Sequence, residues 1–196
     1  MKLKLNCSAE YIRSFLTQRE SNELYDELLT YKKLTDPFTL ALANGERYQE
    51  NYGKMMFIDR NLFEEQRFPE SIWGPNQIWS DKMTTIKERV ASFTRHPFET
   101  CVCIYYPDGN SGVDYHSDPV AFGDTTIIAS ISLGEERIFH LREKETMEVH
   151  ELLLENGSLF IMGEHTQERY EHALPLNSNY KNARINLTFR KYGFGD

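Results

Sequence analysis

The stretch at residues 183–191, ARINLTFRK, alternates without a break. Ile185, Leu187 and Phe189 fall on one side of an extended chain. Arg184, Asn186, Thr188 and Arg190 fall on the other, because successive side chains of a strand point to opposite faces. The pattern predicts a strand over 183–191 with two chemically distinct faces. From residue 98 onward similar short runs recur. They predict strands at 98–106, 112–116, 125–133, 136–143, 147–154, 158–162 and 169–174. Asp108-Gly109, Gly134 and Asn156-Gly157 supply turn chemistry between several of them. About eight short strands in roughly one hundred residues describe a barrel or a jelly roll.

Before residue 98 helical spacing enters. SNELYDELLTYKK (21–33) starts on a capping Ser and places Leu24, Leu28 and Leu29 at helical intervals. SDKMTTIKERVASFTR (80–95) starts on Ser80 and puts Met83, Ile86, Val90 and Phe93 on one stripe. FTLALANGERYQENYG (38–53) carries Asn44-Gly45 between strand-like runs, a hairpin signal. FPESIWGPNQIW (68–79) holds both tryptophans among Pro and Gly, which reads as an irregular loop with large apolar anchors. The helix at 80–95 needs a sheet to pack on, so no boundary is drawn near residue 97. The expectation is one α+β domain over 1–196, with helices and hairpin to 97 outside a β core at 98–192.

Composition narrows the class. The chain has 196 residues, 40% of them hydrophobic and 13% aromatic, which is globular. No apolar run reaches membrane-spanning length, and the first residues lack the apolar stretch of a secretory signal. Three cysteines (Cys7, Cys101 and Cys103) are too few for a disulfide framework and suit a reducing cytosol. The expected location is the cytoplasm, or the nucleus in a eukaryote. Cys101-x-Cys103 without a second Cys/His pair is a poor zinc site. A net charge of −8 argues against a broad nucleic-acid surface, though not against a local basic groove.

Among the six histidines, His116-Ser117-Asp118 is an H-x-D at a strand end, and Pro119 follows it. Roughly one H-x-[DE] is expected by chance in such a chain, so context decides. Positions i and i+2 share a strand face, so both side chains reach one metal. A third ligand has to come from elsewhere: His172 in YEHALP, with His165 in GEHTQE as its competitor. Two imidazoles and one carboxylate that leave positions open describe a non-heme Fe(II) site; zinc accepts the same donors. Arg184 and Arg190 stand about 20 Å apart along their strand. If their face looks inward, two buried guanidinium groups require an anion, and side chains leaning together leave a gap suited to a small dicarboxylate.

Together these residues resemble the AlkB family of Fe(II)/2-oxoglutarate dioxygenases, over roughly residues 47–192. The resemblance is carried by YPDGNSGVDYHSD (106–118), IIASISLGEERIF (127–139), LLLENGSLFIMGEHTQERYEHALP (152–175) and RINLTFR (184–190), which matches an R-x-N-x-x-x-R pattern. It implies a double-stranded β-helix (jelly-roll) core under N-terminal covering helices and a substrate-covering hairpin. It implies Fe(II) held by His116, Asp118 and His172. It implies a 2-oxoglutarate distal carboxylate held by Arg184 with Asn186 and Tyr106, with Arg190 near the chelating carboxylate. ERYQENYG (46–53) resembles the family's R-x-x-x-x-Y-G segment, which makes Arg47 and Tyr52 secondary substrate candidates.

Three departures from the family's pattern stand out, and the first two bear on substrate. Ile104 stands where the family often has Asn. Pro119 and Val120 follow the H-x-D in place of acidic residues, and Tyr115 replaces a more usual Trp. The implied activity is oxidative demethylation of N-alkylated bases, using O₂ and 2-oxoglutarate. The expected partner is alkylated DNA or RNA, with no membrane and the chain acting as a monomer. Trp73 reads as core, and Arg137 as a surface ion-pair partner. Other readings are a 2-oxoglutarate-dependent hydroxylase or demethylase of a protein or small molecule, a catalytically silent binding module, and a zinc hydrolase that would leave the arginine pair without a purpose.

Overall fold

A computed structural model describes residues 1–41 and 47–193. The N-terminal part runs β1 (Ala9–Ile12), α1 (Gln18–Leu29), α2 (Lys32–Thr35), β2 (Pro37–Ala41), β3 (Arg47–Ile58), α3 (Arg60–Glu64), α4 (Glu70–Trp73), β4 (Asn76–Ile78) and α5 (Asp81–Thr94). Strands then dominate: β5 (Thr100–Tyr106), β6 (Val113–His116), β7 (Ile128–Gly134), β8 (Arg137–Glu143), β9 (Val149–Leu154) and β10 (Leu159–Met162). A short helix α6 (Thr166–Arg169), β11 (Tyr170–Leu174) and β12 (Arg184–Arg190) complete the order. Every strand predicted after residue 98 is present within a few residues of its expected ends. Among the described residues, no helix is long and apolar enough to cross a membrane.

The larger sheet has the order β1-β10-β7-β12-β5-β3-β2, with β4 parallel beside β3. The smaller sheet is β6-β11-β8-β9. The two pack face to face through Tyr106, Ile128 and Phe160 of the first and Phe139, Leu141 and Tyr170 of the second. This is a jelly-roll arrangement. β12 sits between β7 and β5, so both its edges are paired. Its Ile185, Leu187 and Phe189 are fully buried against Leu24 and Leu28 of α1 and Met83, Ile86 and Val90 of α5. The other side of the same strand turns toward the space between the sheets. Both faces are therefore covered, and the polar one is internal.

Local corrections have local causes. The first helix starts at Gln18, not Ser21: Thr17 caps it, and Glu20 closes the reciprocal capping box. Ser21 is buried inside the first turn, where its Oγ donates to the Gln18 carbonyl. Ser80 does cap α5, accepting from the Met83 amide. Phe93, at the last turn of α5, swings off the stripe and is half exposed, edge-on to Phe15. Segment 68–79 is not wholly irregular, since it holds α4 and β4. Trp79 anchors it as expected, stacked between Phe57 and Phe189. β2 and β3 form the antiparallel pair that Asn44-Gly45 predicts; the turn itself lies outside the described residues.

Gly53 in the Tyr-Gly pair of β3 has a packing reason. A Cβ there would lie 1.7 Å from the Leu34 carbonyl oxygen of α2. Gly112, just before β6, likewise leaves room for the Leu174 carbonyl, 2.3 Å from where a Cβ would sit. That close approach lets β6 pair with β11, with His116 opposite His172.

Candidate active site

The polar face of β12 and the mouth of β6 open on one cavity of about 390 Å³ between the sheets. The β6–β11 register brings the His116 and His172 rings to 4.3 Å between centroids. Asp118, just past β6, completes a group whose ligand atoms all lie within 4.8 Å of one another. Among the described residues this is the one set of three metal-capable side chains so placed. His172 Nε2 is 3.8 Å from Asp118 Oδ2, and His116 Nε2 is 4.0 Å from Oδ1. These separations suit three ligands around one ion rather than direct bonds to each other.

Each ligand is oriented by its surroundings. His116 Nδ1–H donates to the Asp114 carbonyl at 2.8 Å, which leaves Nε2 free to coordinate. His172 lies against Phe139. Burial pushes its imidazole down to about 4, which keeps it neutral, the form that binds metal. The backbone amide of Asp118 donates to Gln167 Oε1 of α6, and Oδ1 accepts from Arg190 Nη2 at 2.6 Å. Burial alone would raise the Asp118 carboxyl, but the Arg190 guanidinium beside it outweighs that effect and holds it below the usual range. Among described residues, the carboxylate beside Arg190 is thus that of the metal-capable aspartate. Arg184 and Arg190 hydrogen-bond to separate sets of protein groups.

Arg184 differs. It is 2% exposed, and Nη2 donates to Ser132 Oγ and Asn186 Oδ1. Nε is buried and has no hydrogen-bond partner among the described residues. No carboxylate pairs with it among the described residues. Burial pushes its guanidinium down to about 10. Tyr106, directly opposite in register, lays its ring 5.6 Å from the guanidinium carbon. Asn186 is held in turn by Ser130 and Thr188. The result is a rigid, fully buried cation facing the cavity with donor capacity to spare, which is what a small carboxylate requires.

The other expectations divide. Tyr52 lines the cavity 6.1 Å from Tyr106, whereas Arg47 is exposed and is not among the cavity's described lining. Trp73 is not simply core: it lines the cavity edge-on to Phe122. His165 does not join the metal group; it takes a left-handed conformation at the start of α6 and pairs with Glu168. Arg137 is 1% exposed and is not a surface partner. It donates to the carbonyls of Asp108, Ser111 and Pro175, tying the loops around β6 and β11. Tyr115 hydrogen-bonds His140 away from the metal group. Cys101 and Cys103 are buried free thiols. Sequence reasoning missed Gln167, whose role is set by a turn, and Lys54, a buried cation on the cavity face of β3.

Comparison with known proteins agrees with this geometry. The family model of the 2OG-Fe(II) oxygenase superfamily matches residues 8–190. The mouse protein alpha-ketoglutarate-dependent dioxygenase alkB homolog 3 (Mus musculus) is 34% identical over 126 residues, 59% of this chain. This chain spans 44% of that protein's length. The cattle DNA oxidative demethylase ALKBH2 (Bos taurus) is 30% identical over 207 residues, covering 95% of this chain and 69% of that protein. The solved structure of OsALKBH1 superposes with a TM-score of 0.60 at 15% identity, over 96% of this chain and 100% of that one, which speaks to the fold. By a family model that matches residues 8–190 and by a relative 30% identical over 95% of this chain, the chain belongs to the AlkB family of the 2OG-Fe(II) oxygenase superfamily.

Proposed function

We propose that this chain is an Fe(II)/2-oxoglutarate-dependent dioxygenase that demethylates N-alkylated bases in nucleic acid. The family's cofactors are Fe(II) and 2-oxoglutarate, and the residues present fit both. His116, Asp118 and His172 supply the two-imidazole, one-carboxylate donor set. Arg184 supplies a buried, incompletely satisfied cation for the distal carboxylate, with Asn186 and Tyr106 beside it. The observation that carries the reading is that one cavity holds both sets.

When bound, iron with O₂ and 2-oxoglutarate supplies the oxidation: 2-oxoglutarate becomes succinate and CO₂, an N-methyl C–H becomes C–OH, and that carbon leaves as formaldehyde. The chain's own residues do the rest. Arg190 holds Asp118 ionised and fixes its direction. Gln167 anchors the backbone of the same residue. Tyr52, Trp73 and Phe122 wall the cavity with aromatic faces, against which an extruded base can stack. The pair β2–β3 carries Phe38, Tyr52 and Lys54 over this space, the position of a substrate cover. The reading takes 1–196 as one domain, supported by the cluster that joins α1 and α5 to β12. Three free cysteines fit a reducing compartment.

The test is a panel of N-methylated oligonucleotides incubated with Fe(II), 2-oxoglutarate and protein. Substrate-dependent succinate and formaldehyde in equal amounts are expected, and His116→Ala should abolish both. Succinate formation driven by methylated peptides but by no oligonucleotide would replace this reading with a protein-directed one.

A further inference from the structure

Lys54 is the cavity's unexplained charge. The register places it opposite Ile104 of β5, which in turn lies opposite Asn186 of β12, so it looks into the same space as the site. It is 9% exposed. Its ammonium sits 4.3 Å from the ring centre of Phe122 and 4.7 Å from that of Phe38. Among the described residues it has no ion pair, and its Nζ donates no hydrogen bond. Burial, with Arg190 nearby, pushes it down to about 8, so it remains a cation at neutral pH. Aromatic faces attract an ammonium but accept no conventional hydrogen bond from it, so three strong donors are left for whatever enters the cavity.

The balance around it is lopsided. The cavity's described lining includes the cations Lys54, Arg184 and Arg190, and Asp118 is its one carboxylate. Asp118 already accepts from Arg190, and Arg184 faces the co-substrate in the reading above. Lys54 is the cation left for the substrate. Pro119 and Val120, following the metal-binding pair, offer no side-chain acceptor. A base made cationic by methylation would meet a fixed like charge here, at low dielectric and with no free carboxylate to offset it. A neutral base with ring carbonyls beside the methylated nitrogen would bring acceptor oxygens to the same donors.

We propose that Lys54 is a specificity-determining residue that selects neutral, carbonyl-bearing N-methylated pyrimidines of the thymine or uracil type over cationic N-methylated adenine or cytosine. This rests on the demethylase reading above. The test is a competition assay: single-stranded oligonucleotides carrying 3-methylthymine, 3-methyluracil, 1-methyladenine or 3-methylcytosine compete in one tube with Fe(II) and 2-oxoglutarate. The ratio of their kcat/KM values is read by mass spectrometry.

Wild type should favour the carbonyl-bearing bases. Lys54→Met keeps the stem between the two rings and removes the charge. It should shift the ratio toward the cationic bases by about tenfold or more. Lys54→Arg should retain the preference. A purely structural cation would change overall rate but not the ratio. Melting of each variant monitors folding, and Lys54→Met should melt no lower than wild type, because it removes a buried charge. A wild type that prefers the cationic bases, or a ratio unchanged in a folded and active Lys54→Met, overturns the assignment. Turnover of none of the four by wild type overturns it together with the demethylase reading, and so is distinguishable from failure of Lys54 alone.

Discussion

Arg190 sits where charge and geometry meet: Nη2 on Asp118 Oδ1, Nη1 on the Pro119 carbonyl, 3% exposed. Arg190→Met leaves the Asp118 carboxylate buried without its cation and free to rotate. Affinity for Mn(II), an unreactive stand-in for Fe(II), should fall by about 10–100-fold, read by calorimetric titration. The pairing of His116 with Asp118 is readable in the sequence because H-x-D spacing at a strand end is a local fact; the choice of His172 over His165 as the third candidate is not, because it depends on β11 lying beside β6. Nor is the partner of Arg190. Alternation put Arg184 and Arg190 on one face, but only the fold brings Asp118, 72 positions earlier in the chain, against the second of them. Arg137 was misread for the same reason: Glu135 and Glu136 nearby suggest a surface ion pair, whereas its carbonyl partners lie 26 to 38 positions away.

At the scale of elements, strands declared themselves through turn chemistry and period two, and helix ends less clearly. The first turn of α1 shows why. Ser21 is a good capping residue by type, but Thr17 has the Glu at the third position that completes a box. Glu20 also accepts from Arg89 of α5. The Arg89 bond and the Thr17 amide pull its carboxyl down from 4.5 to about 2. A depressed carboxyl contributes stability above its unfolded pKa and loses it as pH falls through the folded one. Glu20→Gln should therefore lower stability at pH 7, by about 1 kcal/mol after allowing for solvent screening of this partly exposed pair. Most of that difference should vanish as pH falls from about 4.5 toward 2; urea unfolding at several pH values follows it. β1 and β4 escaped prediction because they are 4 and 3 residues long and owe their existence to β10 and β3.

Over the whole molecule, what decides function is that the larger sheet is covered twice. Helices α1 and α5 take its apolar outer face, and the smaller sheet closes over its inner face, where the polar side of β12 lies. The alternation in ARINLTFRK specified two faces; covering both took elements from each end of the chain, which no local pattern encodes. Close approaches hold this arrangement. Gly53→Ala would drive a methyl into the Leu34 carbonyl. It should cost about 3 kcal/mol and lower the melting temperature by roughly 6–12 °C. The same closure explains how a chain of net charge −8 keeps three cations in one cavity: their field is local, shielded from the acidic exterior, and aimed at what the cavity binds.

We infer that this cavity takes a metal on His116, Asp118 and His172 and 2-oxoglutarate on Arg184. Calorimetric titration of 2-oxoglutarate into Mn(II)-loaded protein decides the matter. One equivalent should bind the wild type, about 100-fold more weakly to Arg184→Met, and not at all to Asp118→Ala, which should also take up no Mn(II). Wild-type affinity for 2-oxoglutarate in a folded Arg184→Met, or full metal uptake by Asp118→Ala, would contradict it.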